Sequence, residues 1–333
     1  MKRPVTPTLC SIRSSMHVLL AVAACFASAA SIAQEYPTRE IRSLCNFAAG
    51  TGADVLVRYY SDQLSKLVNR PVIVENRPGA NGNLATDALA KSKPDGYTIM
   101  ITPASSTIAA AQHLNRKLPF DPIKDITPVT TLLRLSFTVA VSAAAPYNNV
   151  RELADALKKK PGNGTFGSSN NTGLVGGELY KQMTGLQTTS VPYKSTPQGV
   201  IDLLSGQLDF LMADGTFMAG QIKGGKMKLL AVTTGARTSA FPAVPTMAES
   251  GFPGYDLGAW WGVVVSGGTP QPLVDRLAGL FNQISSSEET RKFLATTAAS
   301  DPLPGNQAQM AAMIKTDMER WGGYVKLANI EPQ

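Results

Sequence analysis

The fold is decided by residues 41–54, which read IRSLCNFAAGTGAD and run from an apolar strand through a glycine turn into a helix. Ile41 to Phe47 is predicted to be a buried strand. Ala53 to Val68 is predicted to be a helix, because its apolar residues recur at helical spacing. Pro71 to Glu75 and Tyr97 to Thr102 are two further predicted strands. Strands that alternate with helices at this spacing pair in parallel through right-handed crossovers, so the sequence predicts an α/β fold.

The same alternation begins again in the middle of the chain. Phe137 to Val141, Thr165 to Ser168 and Thr189 to Pro192 are predicted strands with helices between them. No flexible linker separates the two series, so we expect the chain to cross between two lobes on strands, near Leu132–Phe137 and near Thr233–Arg237. Two crossings would leave a cleft between the lobes. The predicted first α/β domain comprises residues 34–134 and 236–333, and the second comprises residues 135–235.

Residues 1–33 have the pattern of a secretory signal. Three basic residues open the segment, a short apolar stretch follows, and Ser31-Ile32-Ala33 supplies the small residues that a signal peptidase recognises. The apolar stretch is too short and too rich in Ala and Ser to be a good membrane span. Lipidation at Cys25, which ends a lipobox-like sequence, stays open as an alternative. The sequence therefore predicts export to the periplasm.

Charge and cysteine usage exclude several classes of protein. Removing the signal leaves 28 basic residues against 24 acidic ones, a net charge of +4. This mild excess is spread along the chain, whereas nucleic acid binding needs a concentrated basic surface. Cys45 and His113 are the only cysteine and histidine after the signal, which excludes an intramolecular disulfide and a zinc or copper site. The sequence predicts no cofactor, no metal and no nucleic-acid partner.

The glycine turn Asn46–Asp54 is the first candidate binding site. Backbone N–H groups can turn inward at its glycines, and the following helix N-terminus adds positive potential, so the turn favours an anion. The dinucleotide fingerprint would need a third glycine where Val55 stands, so a Rossmann-type nucleotide site is excluded. An ordinary strand-to-helix turn explains these residues equally well.

Two further polar loops, Thr102–Thr107 and Gly167–Gly173, follow predicted strands. Ligands of open α/β sheets bind beyond the carboxyl ends of the strands, where both loops should lie. Their Ser, Thr and Asn residues also suit plain helix caps, which use the same geometry. Asp214, at the end of another predicted strand, is a candidate ligand contact or a cap residue. Lys194 could meet a carboxylate or point to solvent.

No catalytic signature is present. Residues 220–226 fit the G-x-x-x-x-G-K pattern, but Met227 replaces the required hydroxyl residue and no predicted strand comes directly before them. There is no G-x-S-x-G nucleophile elbow and no evident pair of carboxylates. His113 is predicted to be a surface residue rather than a base, and Trp260 and Trp261 are predicted to be core residues. The chain is therefore predicted not to be an enzyme; a hydrolase stays open as an alternative class that the missing base–nucleophile signature disfavours.

Seven short motifs spread over the mature chain resemble one family, the tripartite tricarboxylate transporter receptors, also called the Bug family of extracytoplasmic solute-binding proteins. Each motif alone is weak, but together they are specific to that family. The motifs are Tyr36–Arg42, Val74–Asn83, Pro94–Thr98, Leu118–Pro122, Val191–Lys194, Pro242–Thr246 and Gly251–Tyr255.

The resemblance implies a type II periplasmic-binding-protein fold, in which two α/β lobes joined by two crossover segments close on a ligand. It implies a partner permease of one large and one small membrane subunit, and a monomeric receptor. It also implies that backbone amides and hydroxyl groups hold the ligand's carboxylate. The implied ligand contacts are Phe47, Ala48, Gly50, Thr51, Asp54, Thr102, Ser105, Ser106, Ser168, Ser169, Asn170, Thr172 and Asp214.

The sequence departs from the family pattern at the ligand loops. Ala48 and Ala49 stand where the family usually has prolines, Asn170 where it usually has glycine, and Gly215 where it usually has asparagine. The implied ligand is a small carboxylate: a dicarboxylate, a tricarboxylate, an aromatic acid or an amino acid. A sensor that presents its ligand to a membrane kinase would share every one of these features, so it stays open as the alternative.

Overall fold

A computed structural model describes residues 36–332, so the predicted signal at residues 1–33 and the alternative lipidation site at Cys25 lie outside the described residues. Within them, ten strands join in one sheet. The strands are β1 Ile41–Cys45, β2 Val72–Asn76, β3 Thr98–Thr102, β4 Ile126–Ser142, β5 Thr165–Ser168, β6 Thr189–Pro192, β7 Phe210–Asp214, β8 Met227–Val232, β9 Gly258–Ser266 and β10 Ser300–Pro302. The sheet order is β2-β1-β3-β9-β4-β7-β5-β6, and β8 and β10 also pair with β4.

Helices flank both halves of this sheet. The α-helices are α1 Gly52–Val68, α2 Asn83–Ala90, α3 Ala104–Thr107, α4 Ala111–Leu114, α5 Val150–Lys158, α6 Asn171–Thr184, α7 Thr196–Leu204, α8 Gly215–Lys223, α9 Gln271–Ser286, α10 Glu288–Phe293 and α11 Gln307–Leu327. Short 3₁₀ turns cover Ala80–Gly82 and Pro161–Asn163, and a π-helical turn covers Leu294–Ala298. No helix in residues 36–332 is both long enough and apolar enough to cross a membrane.

Parallel pairing places the carboxyl ends of neighbouring strands side by side, as the sequence predicted. β1 pairs in parallel with β2 and β3, and β5 pairs in parallel with β6 and β7. The loops that leave the carboxyl ends of β1, β3, β5 and β7 are the polar loops singled out in the sequence. Each half of the sheet therefore presents two of them along its edge.

The strand β4 is longer than the predicted Phe137–Val141, because it belongs to both halves of the sheet. Its first part pairs antiparallel with β9, from Ile126 opposite Ser266 to Ser136 opposite Gly258. Its second part pairs antiparallel with β7 and β8. The chain thus passes between the halves inside a hydrogen-bonded strand, which constrains how they can move relative to each other.

The two tryptophans of β9 are buried on opposite faces of the sheet, and the prediction that both are core residues is confirmed. Trp260 packs in the cluster that contains Met310 and Trp321 of α11. Trp261 packs in the other cluster, with Phe281 of α9. The alternation follows from the two-residue period of a strand.

One local prediction was wrong. His113 is half-buried against α11, where its Nε2 lies 2.7 Å from the carbonyl oxygen of Met318. Neighbouring polar residues had suggested a surface position, but the contact is 205 residues away in the chain and no local pattern indicates it. Within residues 220–226, residues 220–223 form the end of the helix α8 and residues 224–226 follow it; the sequence did not predict this helix, which begins directly after β7.

Candidate functional site

The glycine turn after β1 presents a helix N-terminus to solvent. Gly50 has a φ of 81°, which a side chain would disfavour, and Thr51 caps α1 by accepting the N–H of Asp54 at 3.2 Å. The first-turn amides of Gly52 and Ala53 have no acceptor among the hydrogen bonds of the described residues. These two donors and the helix dipole give this turn the means to bind an anion.

The side chain of Asp54 supports the turn instead of lining it. The carboxylate is 2% exposed and accepts the Gly50 N–H at 2.8 Å, the Arg58 Nε at 2.9 Å and the Asn76 Nδ2 at 2.7 Å. Burial alone would raise the pKa of Asp54, but the bonds from Arg58, Asn76 and the Gly50 N–H bring it below its usual value. A charged carboxylate with this many donors positions the loop. Its own oxygens cannot bind a second anion.

Phe47 and Ala48, which precede the glycine, are anchored to the first half of the molecule. The ring of Phe47 stacks on Trp261 with centroids 5.6 Å apart, and its carbonyl oxygen accepts the Asn76 Nδ2 at 2.9 Å. The carbonyl of Ala48 accepts the Thr51 hydroxyl at 2.8 Å. These contacts fix the turn from both sides, so its free amides point in a set direction.

The loop after β3 is tied to the loop after β1 by side-chain hydrogen bonds. The Thr102 hydroxyl donates to Asn46 Oδ1 at 3.1 Å, and the Asn46 amide donates to the Thr107 hydroxyl at 3.3 Å. The Ser105 hydroxyl accepts the Trp260 N–H at 3.2 Å, while the Ser106 hydroxyl donates to a carbonyl within the loop. Thr102 is fully buried, so it holds the two loops together rather than facing the solvent.

In the second half of the sheet, the loop after β5 forms the N-terminus of α6. Asn170 caps this helix by accepting the Gly173 N–H at 2.9 Å. Ser168 is buried, and the Ser169 hydroxyl pairs with the Thr196 hydroxyl at 2.8 Å. Thr172 lies in the first helical turn and is 7% exposed. The predicted capping role and a ligand-binding role are both compatible with this geometry.

Asp214 caps α8 and lies at the junction between the halves. Its carboxylate accepts the Phe217 N–H at 2.9 Å. Burial raises the pKa of Asp214, although the backbone donors of the first turn of α8 act in the opposite direction. A Cβ at Gly215, the departure from the family pattern, would lie 3.1 Å from the Ser136 hydroxyl, so a side chain there would require its neighbours to shift by a few tenths of an ångström.

The predicted residues converge from both halves of the sheet at two places. The N-termini of α1 and α8 meet, because a Cβ on Gly52 would lie 3.5 Å from Thr216 Cγ2. Ser105 from the first half and Thr172 from the second line a common crevice, and Trp321 of α11 lies in its wall. The candidate site comprises the residues at these two places.

Sequence reasoning missed the residues that hold this site in place. Asn46 and Asn76 connect the loops after β1, β2 and β3. Trp321 Nε1 donates to the Ser105 carbonyl at 2.7 Å across a sequence separation of 216 residues. Only the tertiary fold brings these groups together; the sequence had placed Asn46 at the start of the candidate turn and Asn76 directly after a predicted strand, but it gave no sign that they tie the loops together.

Comparison with known proteins gives a consistent result. The family model of the tripartite tricarboxylate transporter family receptor matches residues 56–330. A UPF0065 protein of Bordetella bronchiseptica is 33% identical over 309 residues, which cover 91% of this chain and 90% of the relative. The family and the protein BugT of Bordetella pertussis, 29% identical over 319 residues, indicate a binding receptor rather than an enzyme.

Solved structures show the same fold. A structure of an R. palustris protein with adipate is 30% identical to this chain, with a TM-score of 0.79. The match covers 90% of this chain and 100% of that protein's chain. MatC from Rhodopseudomonas palustris with bound malate is 26% identical with a TM-score of 0.73, covering 87% and 100%. The predicted type II periplasmic-binding-protein fold is therefore confirmed. The chain belongs to the tripartite tricarboxylate transporter receptor family of solute-binding proteins.

Proposed function

We propose that this chain captures a small carboxylate in the periplasm by closure of its two lobes and delivers it to a tripartite tricarboxylate-type membrane transporter. The observation that carries the proposal is the meeting of the α1 and α8 N-termini at Gly52 and Thr216. Two solved relatives with adipate and with malate support the ligand class.

The chemistry of the α1 turn suits a carboxylate that must be released again. The amides of Gly52 and Ala53 are neutral donors at a helix N-terminus, and such donors bind an anion without a fixed ion pair. Charge-assisted hydrogen bonds of this kind are stronger than neutral ones. A transporter that reopens the lobes would then break several moderate bonds instead of one buried salt bridge.

We expect closure because loops from both halves of the sheet contribute residues to the candidate site. The ligand would dock on the turn after β1 and the loop after β3, and the loops after β5 and β7 would complete the site. A ligand shifts the open and closed populations only if the closed state adds contacts that the open state lacks. The second-half loops at Thr172 and Asp214 are the groups that would supply them.

Substitutions at Gly52 test this mechanism. Gly52→Ala places a methyl group in ordinary contact with Thr216, so it should bind within about threefold of the wild type, since the closed contact still fits. Gly52→Leu fills the space where α1 meets α8 and should weaken binding at least about tenfold, because one methylene too many already disturbs a packed contact. Thermal melting with malate, adipate and citrate gives the readout.

Small-angle scattering on the same samples separates closure from simple binding. Saturating ligand should make the wild type and Gly52→Ala more compact, while Gly52→Leu should keep its unliganded dimensions. Equal ligand affinity in all three proteins would refute the placement of the site at the α1 turn. Binding without any change in scattering would refute closure.

Delivery is tested in cells. Deleting the receptor should abolish uptake of the labelled carboxylate, and the wild type should restore it while Gly52→Leu should not. Normal uptake in the deletion strain, together with intact binding in vitro, would contradict delivery to a transporter and would favour the sensor alternative. Native mass spectrometry of the mature chain tests the proposed monomeric state on the same material.

A further inference from the structure

The second half of the sheet carries a concentration of lysines at the end that lies away from the candidate site. The loops of the candidate site leave the carboxyl ends of β5 and β7, and β8 runs in the same direction, because β7 and β8 both pair antiparallel with β4. The starts of β5, β7 and β8 therefore lie at the opposite end, with the ends of β4, α5 and α8. We call this end the lysine tip. Its lysines are Lys158, Lys159, Lys160, Lys223, Lys226 and Lys228.

Hydrogen bonds join the segments of the lysine tip into one surface. The loop 143–149 accepts Lys228 Nζ at a carbonyl oxygen, at 2.8 Å, and donates an N–H to the Lys226 carbonyl at 2.9 Å. The tyrosine of the same loop donates its hydroxyl to the Asp209 carbonyl at 3.3 Å, and the Asp209 carboxylate pairs with Lys160. The lysines after α5 and those after α8 are thus connected through a single loop.

Four of the six lysines are available to attract an anion. Lys158, Lys159, Lys223 and Lys226 are exposed, and their side chains form no hydrogen bond or ion pair within residues 36–332. The helix dipole favours a cation in the last turn of α5 and in the last turn of α8, which explains one lysine at each place. It does not require the second lysine that follows each helix.

Acidic residues do not neutralise the lysine tip. Asp209 is engaged by Lys160 and also accepts the Thr165 N–H at 2.8 Å. Glu152 and Asp155 lie on α5, and Glu152 accepts a backbone N–H of the preceding loop at 2.7 Å. Three carboxylates against six lysines leave an excess of three positive charges. The fold therefore concentrates here a positive excess that is spread out along the sequence.

The chemistry of the lysine tip suits an anionic bilayer better than a protein surface. Lysine is depleted in protein–protein interfaces, whose energy comes mainly from Trp, Tyr and Arg. The segments 157–160 and 223–228 contain none of these three residue types. An anionic lipid surface, by contrast, attracts hydrated ammonium groups without directed contacts, by about fivefold in affinity for each lysine.

We propose that the lysine tip binds the surface of a bilayer that contains anionic phospholipid. The ammonium groups lie among the headgroup phosphates, and no segment inserts into the hydrocarbon. Because the tip is at the opposite end from the loops after β5 and β7, a bound receptor keeps these loops accessible. It then searches for a membrane partner in two dimensions. The proposal goes beyond carboxylate capture and does not depend on it.

Co-sedimentation of the mature protein with phospholipid vesicles tests the proposal. Vesicles of equal parts of phosphatidylglycerol and phosphatidylethanolamine supply the anionic surface, and phosphatidylcholine vesicles supply a neutral one. At an ionic strength of about 0.1 M, where the Debye length is about 10 Å, the wild type should bind the anionic vesicles only. At about 1 M, where the Debye length is about 3 Å, this binding should be lost.

Two quadruple Lys→Gln variants remove equal charge from different places. The tip variant should lower the vesicle partition coefficient by more than about hundredfold, because four factors of about five are lost. The control variant changes four exposed lysines of the first half and should bind as the wild type does, since its charges lie beyond the screening length. The tip variant carries K158Q, K159Q, K223Q and K226Q. The control variant carries K93Q, K117Q, K292Q and K315Q.

The outcomes decide between a lysine surface and net charge alone. Loss of vesicle binding in the tip variant only, with melting temperatures equal to the wild type, is the expected result. Equal loss in both quadruple variants would overturn the proposal, as would wild-type binding to phosphatidylcholine vesicles or to no vesicle. Binding to native membranes but not to protein-free vesicles would also overturn it and would indicate an acidic protein partner. Carboxylate titrations of the same variants should be unchanged, so failure here leaves the proposed function standing.

Discussion

Replacing Asp54 with asparagine removes a buried charge from the centre of the candidate anion turn while keeping the shape of the side chain. In the native protein the carboxylate accepts N–H groups from Gly50, Arg58 and Asn76. An asparagine has one carbonyl oxygen, which can accept, and one NH₂ group, which can only donate. The NH₂ group would face an N–H donor that a carboxylate oxygen accepts in the native protein. At least one of the three donors is left without an acceptor.

The expected destabilisation follows from these contacts. A hydrogen bond to a charged group contributes about 1.5–3 kcal/mol, and an unsatisfied buried donor costs a similar amount. The Arg58 side chain is 49% exposed, so its share of the ion pair is small. We therefore expect Asp54→Asn to lower the free energy of unfolding by about 2–3 kcal/mol, and the melting temperature by about 4–12 °C, at 2–4 °C per kcal/mol.

Asp62→Asn is the matched control on the same helix. Asp62 forms an i,i+4 ion pair with Lys66 at 2.7 Å, as Asp54 does with Arg58, but its side chain is 60% exposed. Removing it should change stability by less than about 0.5 kcal/mol. Urea unfolding of the wild type and both variants at neutral pH gives the comparison.

The pH dependence provides a second check. Because the folded-state pKa of Asp54 lies below its unfolded value, its stabilisation is present above the unfolded pKa and is lost as the pH falls through the folded one. The stability gap between wild type and Asp54→Asn should thus be full near pH 7 and shrink below about pH 4, the ordinary range for an aspartate. If Asp54→Asn unfolds like Asp62→Asn, or if the gap persists in acid, the supporting role of Asp54 is refuted.

Two further changes probe the packing around the site. Gly177→Ala should destabilise by at least about 2 kcal/mol, because the new Cβ would lie 2.0 Å from the Phe166 ring, whereas Gly279→Ala, in the open interior of α9, should be neutral or stabilising by up to about 1 kcal/mol; equal melting temperatures for these two would contradict the packing of α6. Trp321→Phe removes the bond from Nε1 to the Ser105 carbonyl and should cost about 1–3 kcal/mol, with weaker ligand binding as the β3 loop loosens; unchanged stability and affinity would show that this bond does not hold the loop.

The sequence predicted the local elements of the second half well, because they are punctuated by turns and have clear periodicity. Thr165–Ser168 and Thr189–Pro192 are strands with the predicted bounds. The strand β4 was predicted only over Phe137–Val141, since its earlier part contains Pro128 and Arg134 and lacks an apolar run. Its extension depends on pairing with β9, which lies more than a hundred residues further along the chain.

The candidate site could also be predicted only where local sequence signals define it. The helix N-termini at Gly52 and Asn170 could be located from strand-to-turn signals alone, whereas the helix after Asp214 was not predicted. The inward role of Asp54 could not, because its donors come from Gly50, Arg58 and Asn76 in a geometry that only the folded loop creates. The crevice shared by Ser105 and Thr172 is lined by residues that are far apart in the sequence, so no spacing in the sequence indicates it.

The central claim, capture of a small carboxylate, is tested most directly by isothermal titration calorimetry of the purified mature protein freed of bound ligand. We predict saturable 1:1 binding of at least one of malate, adipate and citrate, and a melting temperature that rises with ligand concentration, since 100-fold excess over Kd adds about 2.7 kcal/mol of stability. Absence of saturable heat with every carboxylate, alongside tight binding of a neutral sugar or a cation, would contradict it.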